Sequence, residues 1–413
     1  MTTQRQFLLA LTVGLSWMLA EAQAGLATPK PEQTPTTESR MPSAPTEKHP
    51  VWNDPKGRYT RFLVTEGAFH VLVDDLTGDG RTDLAFTSHG GNIIRVFRQV
   101  EPRRFDATEE QDIAGFHPND TIALPGVPKR YLINAEGKGQ LRVVAAQPDG
   151  YLKRVSDYSQ PHPLGSTPFV WPGWGQLSLA VVPYTGARLT LLRDFDPEKG
   201  EVKTTIDIPT DQEPRPARQA DLTGDGLPEL VFPTFRNSKV WAIEYAGAEQ
   251  PPRLRELASF KEGWPRHVIP LDLNQDGKID LLTPMSTQER IAVLLNDGQG
   301  HFTEGQAITY PGRVGVHTLA VGQDRGGRYL LAGGSRALVL YREYKEKPGK
   351  FENRLLSIAN WPNRVELADV DGDGWLDAVV ANQGPLESQV IYGPLWDIFG
   401  QLSVNPPDNT QPG

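Results

Sequence analysis

The feature that most constrains this chain is a ten-residue segment that occurs four times. Acidic residues stand at positions 1, 5 and 9 of every copy, and glycine stands at position 6. Apolar runs precede the segment and β-rich runs follow it, so it predicts a loop between two strands. The four copies are Asp75-Leu-Thr-Gly-Asp79-Gly-Arg-Thr-Asp83-Leu, Asp221-Leu-Thr-Gly-Asp225-Gly-Leu-Pro-Glu229-Leu, Asp272-Leu-Asn-Gln-Asp276-Gly-Lys-Ile-Asp280-Leu and Asp369-Val-Asp-Gly-Asp373-Gly-Trp-Leu-Asp377-Ala.

The spacing of the copies predicts how many units the chain contains. They begin at residues 75, 221, 272 and 369, which is close to three, one and two steps of about 49 residues. Missing units are therefore expected near 124, 172 and 321, and weaker copies begin at Thr121, Leu177 and Thr318. Seven units of this length, with about four strands each, predict an all-β fold, a seven-bladed β-propeller of four-stranded blades.

The last unit is one strand short, since only 365–368, 376–381 and 389–392 have strand character. A spare strand, 58–64, precedes the first unit. We expect this N-terminal strand to form the outer strand of the last blade, because it would close the ring and remove exposed sheet edges.

The loops, together with the turn Val293-Leu-Leu-Asn-Asp-Gly-Gln-Gly-His-Phe302, resemble the FG-GAP/VCBS repeats. That superfamily includes the calcium-loop blades of the integrin α-chain β-propeller. The resemblance covers nearly the whole of the predicted propeller. The loop motif is specific in four of the seven units and weak in the other three. It implies a propeller and a metal ion, but it does not imply an activity.

Oxygen ligands at alternate loop positions predict about four structural Ca²⁺ ions, because calcium accepts many oxygen ligands in flexible geometry. An EF-hand needs a glutamate at position 12, where these loops carry Phe86, Phe232, Thr283 and Val380. The alternative is a set of turns with solvated acids. The predicted ligands, with a backbone carbonyl at position 7, are Asp75, Thr77, Asp79, Arg81 and Asp83; Asp221, Thr223, Asp225, Leu227 and Glu229; Asp272, Asn274, Asp276, Lys278 and Asp280; and Asp369, Asp371, Asp373, Trp375 and Asp377.

The loops are not expected to bind equally. The fourth loop, with four aspartates, should bind calcium most tightly, whereas threonine at position 3 should weaken the first two. The sixth unit places Val321 and Arg325 at positions 1 and 5, so no ion is expected there.

Basic and imidazole side chains stand just before several predicted inner strands and could form a ring around one mouth of the central channel. Such a ring would bind an anionic ligand, for example an acidic sugar or another carboxylate. The alternative is that these side chains only satisfy carbonyl groups near the axis. The candidates, including two tryptophans from matching Trp-Pro motifs, are His70, Arg218, His267, His317, Arg364, Trp264 and Trp361.

No familiar catalytic motif occurs in the chain: there is no Gly-x-Ser-x-Gly elbow, no His-Glu-x-x-His and no phosphate loop. We therefore expect a module that binds a protein or a glycan. The alternative is an enzyme, such as a lyase or hydrolase acting on an anionic polysaccharide, with the ring supplying a base and neutralising charge. The segment from Phe169 to Trp174 could stack on a ligand or fill a degenerate blade, and the second interpretation is favoured.

The N-terminal sequence predicts export to the periplasm or the cell exterior. Residues 1–24 combine Arg5, an apolar run and a small-residue cleavage site, as in a secretory signal peptide, although an uncleaved anchor is the alternative. A Pro/Thr-rich tether (25–50), the propeller (51–404) and a flexible tail (405–413) should follow.

The amino-acid composition excludes some kinds of site and partner. The absence of cysteine excludes disulfides and thiolate metal sites. The net charge of −9 argues against a nucleic acid partner. After residue 24 no apolar run is long enough for a transmembrane segment.

Overall fold

Short apolar runs form strands in this protein, and turns rich in glycine, asparagine and aspartate separate them. The computed structural model describes residues 49–404, except 313–314, 336, 359–360 and 384–386. The predicted signal peptide (1–24), the tether up to residue 48 and the tail (405–413) lie outside the described residues.

Within these described residues, thirty strands form seven antiparallel sheets. Two strands, β1 (Val51–Asn53) and β2 (Tyr59–Phe62), precede blade 1. Blade 1 contains β3 (His70–Asp74), β4 (Asp83–Ser88), β5 (Ile93–Glu101) and β6 (Arg104–Ala107). Blade 2 contains β7 (Pro118–Ala123), β8 (Arg130–Ala135), β9 (Gln140–Ala146) and β10 (Leu152–Ser159). Blade 3 contains β11 (Pro163–Phe169), β12 (Ser178–Pro183), β13 (Arg188–Arg193) and β14 (Thr204–Pro209).

The remaining blades follow the same order. Blade 4 contains β15 (Arg218–Ala220), β16 (Glu229–Thr234), β17 (Lys239–Glu244) and β18 (Arg253–Ser259). Blade 5 contains β19 (Ile269–Leu271), β20 (Asp280–Pro284), β21 (Arg290–Asn296) and β22 (Phe302–Glu304), and β23 (Ile308–Thr309) also pairs with β21. Blade 6 contains β24 (Val316–Asp324), β25 (Gly327–Gly334), β26 (Ala337–Tyr344) and β27 (Lys347–Ser357). Blade 7 contains β28 (Trp361–Ala368), β29 (Asp377–Gln383) and β30 (Ser388–Ile391).

The ring closes as the sequence predicts. Strand β2 pairs antiparallel with β30, from Tyr59 opposite Ile391 to Phe62 opposite Ser388. Strand β1 then pairs with β2 and adds a fifth strand to blade 7. The prediction of a seven-bladed propeller with four-stranded blades and an N-terminal closing strand is therefore confirmed.

The core lies between neighbouring blades. Every residue of the second strands β4, β12, β16 and β20 is buried, because adjacent sheets cover both of their faces. This explains why these strands are nearly continuous apolar runs. Trp171 and Trp174, between β11 and β12, are each 1% exposed and belong to such a cluster, so this segment fills the core between blades 3 and 4.

Two features differ from the sequence expectations. The weak copy that begins at Leu177 covers the second and third strands of blade 3, rather than the first and second. A C-terminal helix, α1 (Leu395–Val404), was not predicted, and its Leu395, Trp396, Phe399 and Leu402 pack where blades 6 and 7 meet. None of the helices in the described part of the chain is long and apolar enough to span a membrane.

Candidate functional site

The four repeated loops join the first strand to the second in blades 1, 4, 5 and 7. They therefore lie at the same end of the propeller. In blade 6 the corresponding connection is short, since β24 ends at Asp324 and β25 begins at Gly327.

The same hydrogen bonds recur within these loops. In the first loop, the Asp75 carboxylate accepts hydrogen bonds from the backbone N–H groups of Gly78 (2.7 Å) and Gly80 (3.2 Å). Asp221 and Asp369 accept the equivalent bonds in the second and fourth loops, whereas Asp272 in the third loop accepts from the backbone N–H groups of Asp276 (3.1 Å) and Gly277 (3.0 Å). Gly78 and Gly80 have φ of 80° and 83°, which is why glycine suits both positions.

The acid at position 9 is buried and ties each loop to its blade. Asp83 is 0% exposed, and its two oxygens accept hydrogen bonds from the backbone N–H groups of Thr77 (2.9 Å) and Gln99 (2.9 Å). Asp280 and Asp377 make equivalent pairs of bonds, and Glu229 accepts from Leu222. These bonds give the position-9 acids a structural role apart from any metal.

The fourth loop brings the most carboxylate groups close together. Oxygens of Asp369, Asp371 and Asp373 lie within 4.8 Å of one another, the only such three-acid group among the described residues. Arg103, from the β5–β6 turn of blade 1, lies 2.5 Å from Asp371 Oδ2 and 3.2 Å from Asp373 Oδ2. A calcium ion in this loop would compete with that guanidinium.

The donor set of these loops fits calcium. All of the predicted ligand atoms are oxygens, and one of them is an orphan: Thr223 Oγ1, at position 3 of the second loop, is buried with no hydrogen-bond partner among the described residues. By contrast, Thr77 Oγ1 donates to Asp83 Oδ2 at 3.0 Å in the first loop.

Each loop also contacts the next blade around the ring. Tyr131 of blade 2 donates to Asp74 beside the first loop, and Arg328 of blade 6 donates to the Asp272 carbonyl in the third. Asn296 of blade 5 donates to the Leu222 carbonyl in the second loop, and Gln99 of blade 1 donates to the Val370 carbonyl in the fourth. The loops therefore lie at the seams between blades.

The inner strands surround a pocket of about 590 Å³, which extends along them from the ends opposite the loops. Of the predicted ring, His70, Arg218, His267 and Arg364 line it. The other three do not. His317 is 9% exposed and its carbonyl accepts a hydrogen bond from His267 (3.1 Å), Trp361 packs on the His317 ring (centroids 5.1 Å apart), and Trp264 packs on Phe235.

β-Bulges explain part of this arrangement. The pairing of β24 with β25 shifts between Val316 and Thr318, so the strand is irregular at His317. Strand β28 shifts between Pro362 and Arg364, and β7 shifts between Pro118 and Thr121. Bulges re-aim side chains and are enriched beside functional sites.

Four charged residues of the pocket were missed from the sequence: Arg215, Arg266, Asp120 and Glu366. Arg266 adjoins His267 in the Trp-Pro motif, and Asp120 directly precedes the repeat copy that begins at Thr121. These adjacent motifs could have identified Arg266 and Asp120 from the sequence. No repeat signal marked Arg215.

The pocket carries surplus positive charge. Arg364 Nη2 lies 2.6 Å from Glu366 Oε1, and Arg215 Nη2 lies 3.5 Å from Glu213 Oε2. Neither Arg218 nor Arg266 forms an ion pair with any described residue. Arg266 Nη1 instead lies 3.2 Å from His317 Nδ1, and Arg218 Nη1 donates to the Ala217 carbonyl at 3.1 Å.

Burial and like charges perturb the pocket's titratable groups. Burial lowers the pKa of Arg218 to about 10, and Arg364 adds repulsion. Burial likewise lowers the pKa of Arg266 to about 10, with repulsion from Arg215. The pKa of His70 lies well below its usual value, because of burial and then Arg364 and Arg218. Burial raises the pKa of Asp120 to about 7.

Comparisons with known proteins support the fold. The structure is similar to BBS1N in complex with ARL6DN, with a TM-score of 0.55 and 11% identity over 79% of this chain and 92% of that one. It is also similar to Kuenenia stuttgartiensis hydrazine synthase, with a TM-score of 0.53 and 14% identity over 80% and 96%. Such low identities show the fold alone. The sequence matches no protein-family model and no curated protein.

Proposed function

We propose that this protein is an exported, calcium-stabilised propeller that binds a small carboxylate-bearing ligand, such as an acidic sugar, in its axial pocket. One observation carries the proposal: Arg218 and Arg266 line a concave pocket without forming an ion pair with any described residue. Both side chains are half-buried, and a cation withdrawn from water without a paired anion is costly, so an anionic ligand would offset part of that cost.

The size of the pocket agrees with a small ligand. A volume of about 590 Å³ lies within the range of roughly 300–1,000 Å³ that is typical of small-molecule sites. Residues from blades 1 to 5 and blade 7 line it, so a bound ligand would contact most of the ring at once.

Binding of D-glucuronate, measured by calorimetry, tests this function. We expect Arg218→Gln to weaken binding by about tenfold or more, because it removes a charge-assisted contact worth about 1.5–3 kcal/mol. Arg104→Gln is the control, since that arginine lies on the outer strand β6 and its side chain is 61% exposed. If neither D-glucuronate nor a simple carboxylate binds the wild-type protein, the proposed function is wrong.

The proposed calcium ions are structural, and the chain is proposed to be an FG-GAP/VCBS-like protein. The recurring hydrogen bonds of the four loops, their all-oxygen donor sets and their places at the blade seams support this role. Calorimetry on chelator-treated protein should find about four sites. Because ligand binding to the folded state stabilises by about 2.7 kcal/mol per site at a hundredfold excess over Kd, EDTA should lower the Tm substantially. Finding at most one site would contradict the proposal.

Export rests on the sequence of residues 1–24 and is tested separately. N-terminal sequencing of the protein from the periplasmic or extracellular fraction should find a mature chain that begins after Ala24. Recovery of full-length protein from membranes would instead indicate an uncleaved anchor.

The same pocket could instead bind an acidic group of a partner protein. This alternative is supported by the propeller neighbour BBS1N, which was solved in complex with ARL6DN. A protein that competes with D-glucuronate for wild-type protein, and that binds Arg218→Gln poorly, would favour this alternative.

An enzyme is the second candidate, and Asp120 is the observation that favours it. A pKa raised to about 7 in a cleft is typical of groups that transfer protons, and arginines beside it could neutralise a substrate carboxylate. Incubation with polygalacturonate separates the candidates. A lyase would produce unsaturated, ultraviolet-absorbing ends that Asp120→Asn abolishes, whereas a binding module would produce none.

A further inference from the structure

The axial pocket contains hydrogen-bond acceptors as well as cations. Asp120 lies in the β7 bulge and lines the pocket. Its carboxylate accepts hydrogen bonds from Asn134 Nδ2 and from its own backbone N–H, and its side chain is only partly buried, so the carboxylate can accept a further hydrogen bond from a ligand. Asn119, also in the bulge and 1% exposed, has an Oδ1 that is buried without a partner.

A chain of hydrogen bonds fixes the Asp120 side chain. Ser166 Oγ, from blade 3, donates to Asn134 Oδ1 at 2.6 Å, and Asn134 in turn donates to Asp120. Asn134 is 0% exposed and Ser166 is 4% exposed, so neither side chain is free to rotate toward solvent. The carboxylate is therefore held in place, which is what a site needs in order to discriminate between ligands.

We propose that Asp120 is a specificity-determining residue that accepts a hydrogen bond from a ligand hydroxyl, so that the pocket selects hydroxylated carboxylates over plain ones. This inference rests on the proposed function. Arg218 and Arg266 favour an anion, whereas the Asp120 carboxylate favours a hydrogen-bond donor, and a sugar acid supplies both. An amino acid also carries both groups, but its ammonium would add positive charge beside Arg218 and Arg364.

Three ring compounds of similar size separate these requirements by calorimetry. D-Glucuronate carries a carboxylate and hydroxyls, cyclohexanecarboxylate carries only the carboxylate, and D-glucose carries only hydroxyls. We expect wild-type protein to bind D-glucuronate about tenfold more tightly than cyclohexanecarboxylate, the value of one hydrogen bond to a charged group. Binding of D-glucose should be weaker still.

The variants locate the source of the preference. At pH 8, where Asp120 is ionised, Asp120→Asn should reduce the ratio of the two carboxylate affinities to near one, and it should not weaken cyclohexanecarboxylate binding, because it removes a negative charge from the pocket. Arg218→Gln should weaken both carboxylates and leave the ratio near its wild-type value. Asp106→Asn, an exposed acid on β6, should leave both affinities unchanged.

The outcomes distinguish this inference from the proposed function. Equal wild-type affinities for the two carboxylates would overturn the inference and leave anion binding intact, and this measurement requires no variant to fold. A ratio that Asp120→Asn does not change would also overturn it, as would tighter binding of L-glutamate than of D-glucuronate. Failure of every carboxylate to bind would refute the proposed function itself.

Discussion

Buried histidines make the stability of this protein depend on pH. Burial, and then the Arg266 guanidinium, lower the pKa of His317 to about 3. Its usual value is about 6.5, so between about pH 3 and pH 6.5 the unfolded chain binds the extra proton. The free energy of unfolding should therefore decrease by about 1.4 kcal/mol per pH unit, for this residue alone, as the pH falls below 6.5.

Urea unfolding at pH 7 and pH 5 measures this effect. His317→Asn should lose that part of the slope, although loss of packing on Trp361 should lower its stability at both pH values. His70 and His267 act in the same direction, whereas Asp120 acts in the opposite one, because its raised pKa favours the folded state at low pH. Equal slopes for wild type and variant would contradict the assignment of a neutral His317.

Arg103 should weaken calcium binding at the fourth loop. It contacts Asp371 and Asp373 through a side chain that is 37% exposed, and an ion pair that solvent still screens is worth up to about 1 kcal/mol. We therefore expect Arg103→Gln to tighten one calcium site by about fivefold in calorimetry. Asp373→Ala should remove one site altogether. Unchanged affinity in Arg103→Gln would mean that the guanidinium moves aside without cost.

At the scale of elements, the Asn296 side chain connects the β21–β22 turn of blade 5 to the second loop, in blade 4. It is 5% exposed, and its Oδ1 accepts hydrogen bonds from Gly298 and Gly300 in the β21–β22 turn. Its Nδ2 donates to the carbonyls of Leu222 and Ile279. Asn296→Ala should lower the free energy of unfolding by about 2–3 kcal/mol, because it leaves buried polar groups unpaired.

Chemical denaturation checks this prediction. Asn237→Ala is the matched control, since Asn237 is exposed in the β16–β17 turn. The two variants should differ in midpoint, and a similar midpoint for both would mean that water replaces the lost bonds without penalty.

The elements that could be predicted from the sequence are those specified by local chemistry. Alternating acids and glycine at Gly78 and Gly80 define a loop within ten residues, so the loops and their strands were found. The contact of Arg103 with Asp371 could not be predicted, because it crosses a blade seam between residues 268 apart in sequence. The pocket was only partly predicted, because the ring was placed on residues that stand just before the inner strands, and the bulges around Asp120 and His317 change which of those side chains face the axis.

At the scale of the whole molecule, stability depends on the closing strand. Phe62 of β2 is 0% exposed and packs against Phe86, Phe97 and Phe105 of blade 1, with ring centroids 5.7, 4.8 and 5.2 Å away. Phe62→Ala should therefore cost about 3–5 kcal/mol, as is usual for a large cavity in a core.

Thermal unfolding measures that loss. Phe116→Ala is the control, because Phe116 is 48% exposed, and it should change the Tm little. A small effect of Phe62→Ala would show that the ring remains stable when its closing strand is weakened.

The pairing of β2 with β30 also has a consequence for how the chain reaches its native state. Thr60 contacts Tyr392 across 332 residues, so β2, the second strand of the described chain to be synthesised, pairs with the last. Contacts this distant in sequence raise the contact order and slow folding, because loop-closure entropy is lost before the pairing forms. Until β30 has been synthesised, one edge of β2 is unpaired and can pair with other chains. The ring cannot close before then, even if the first six blades have folded. Ring closure should therefore be the slow step of refolding, and the interval before it is when the chain is most prone to aggregate.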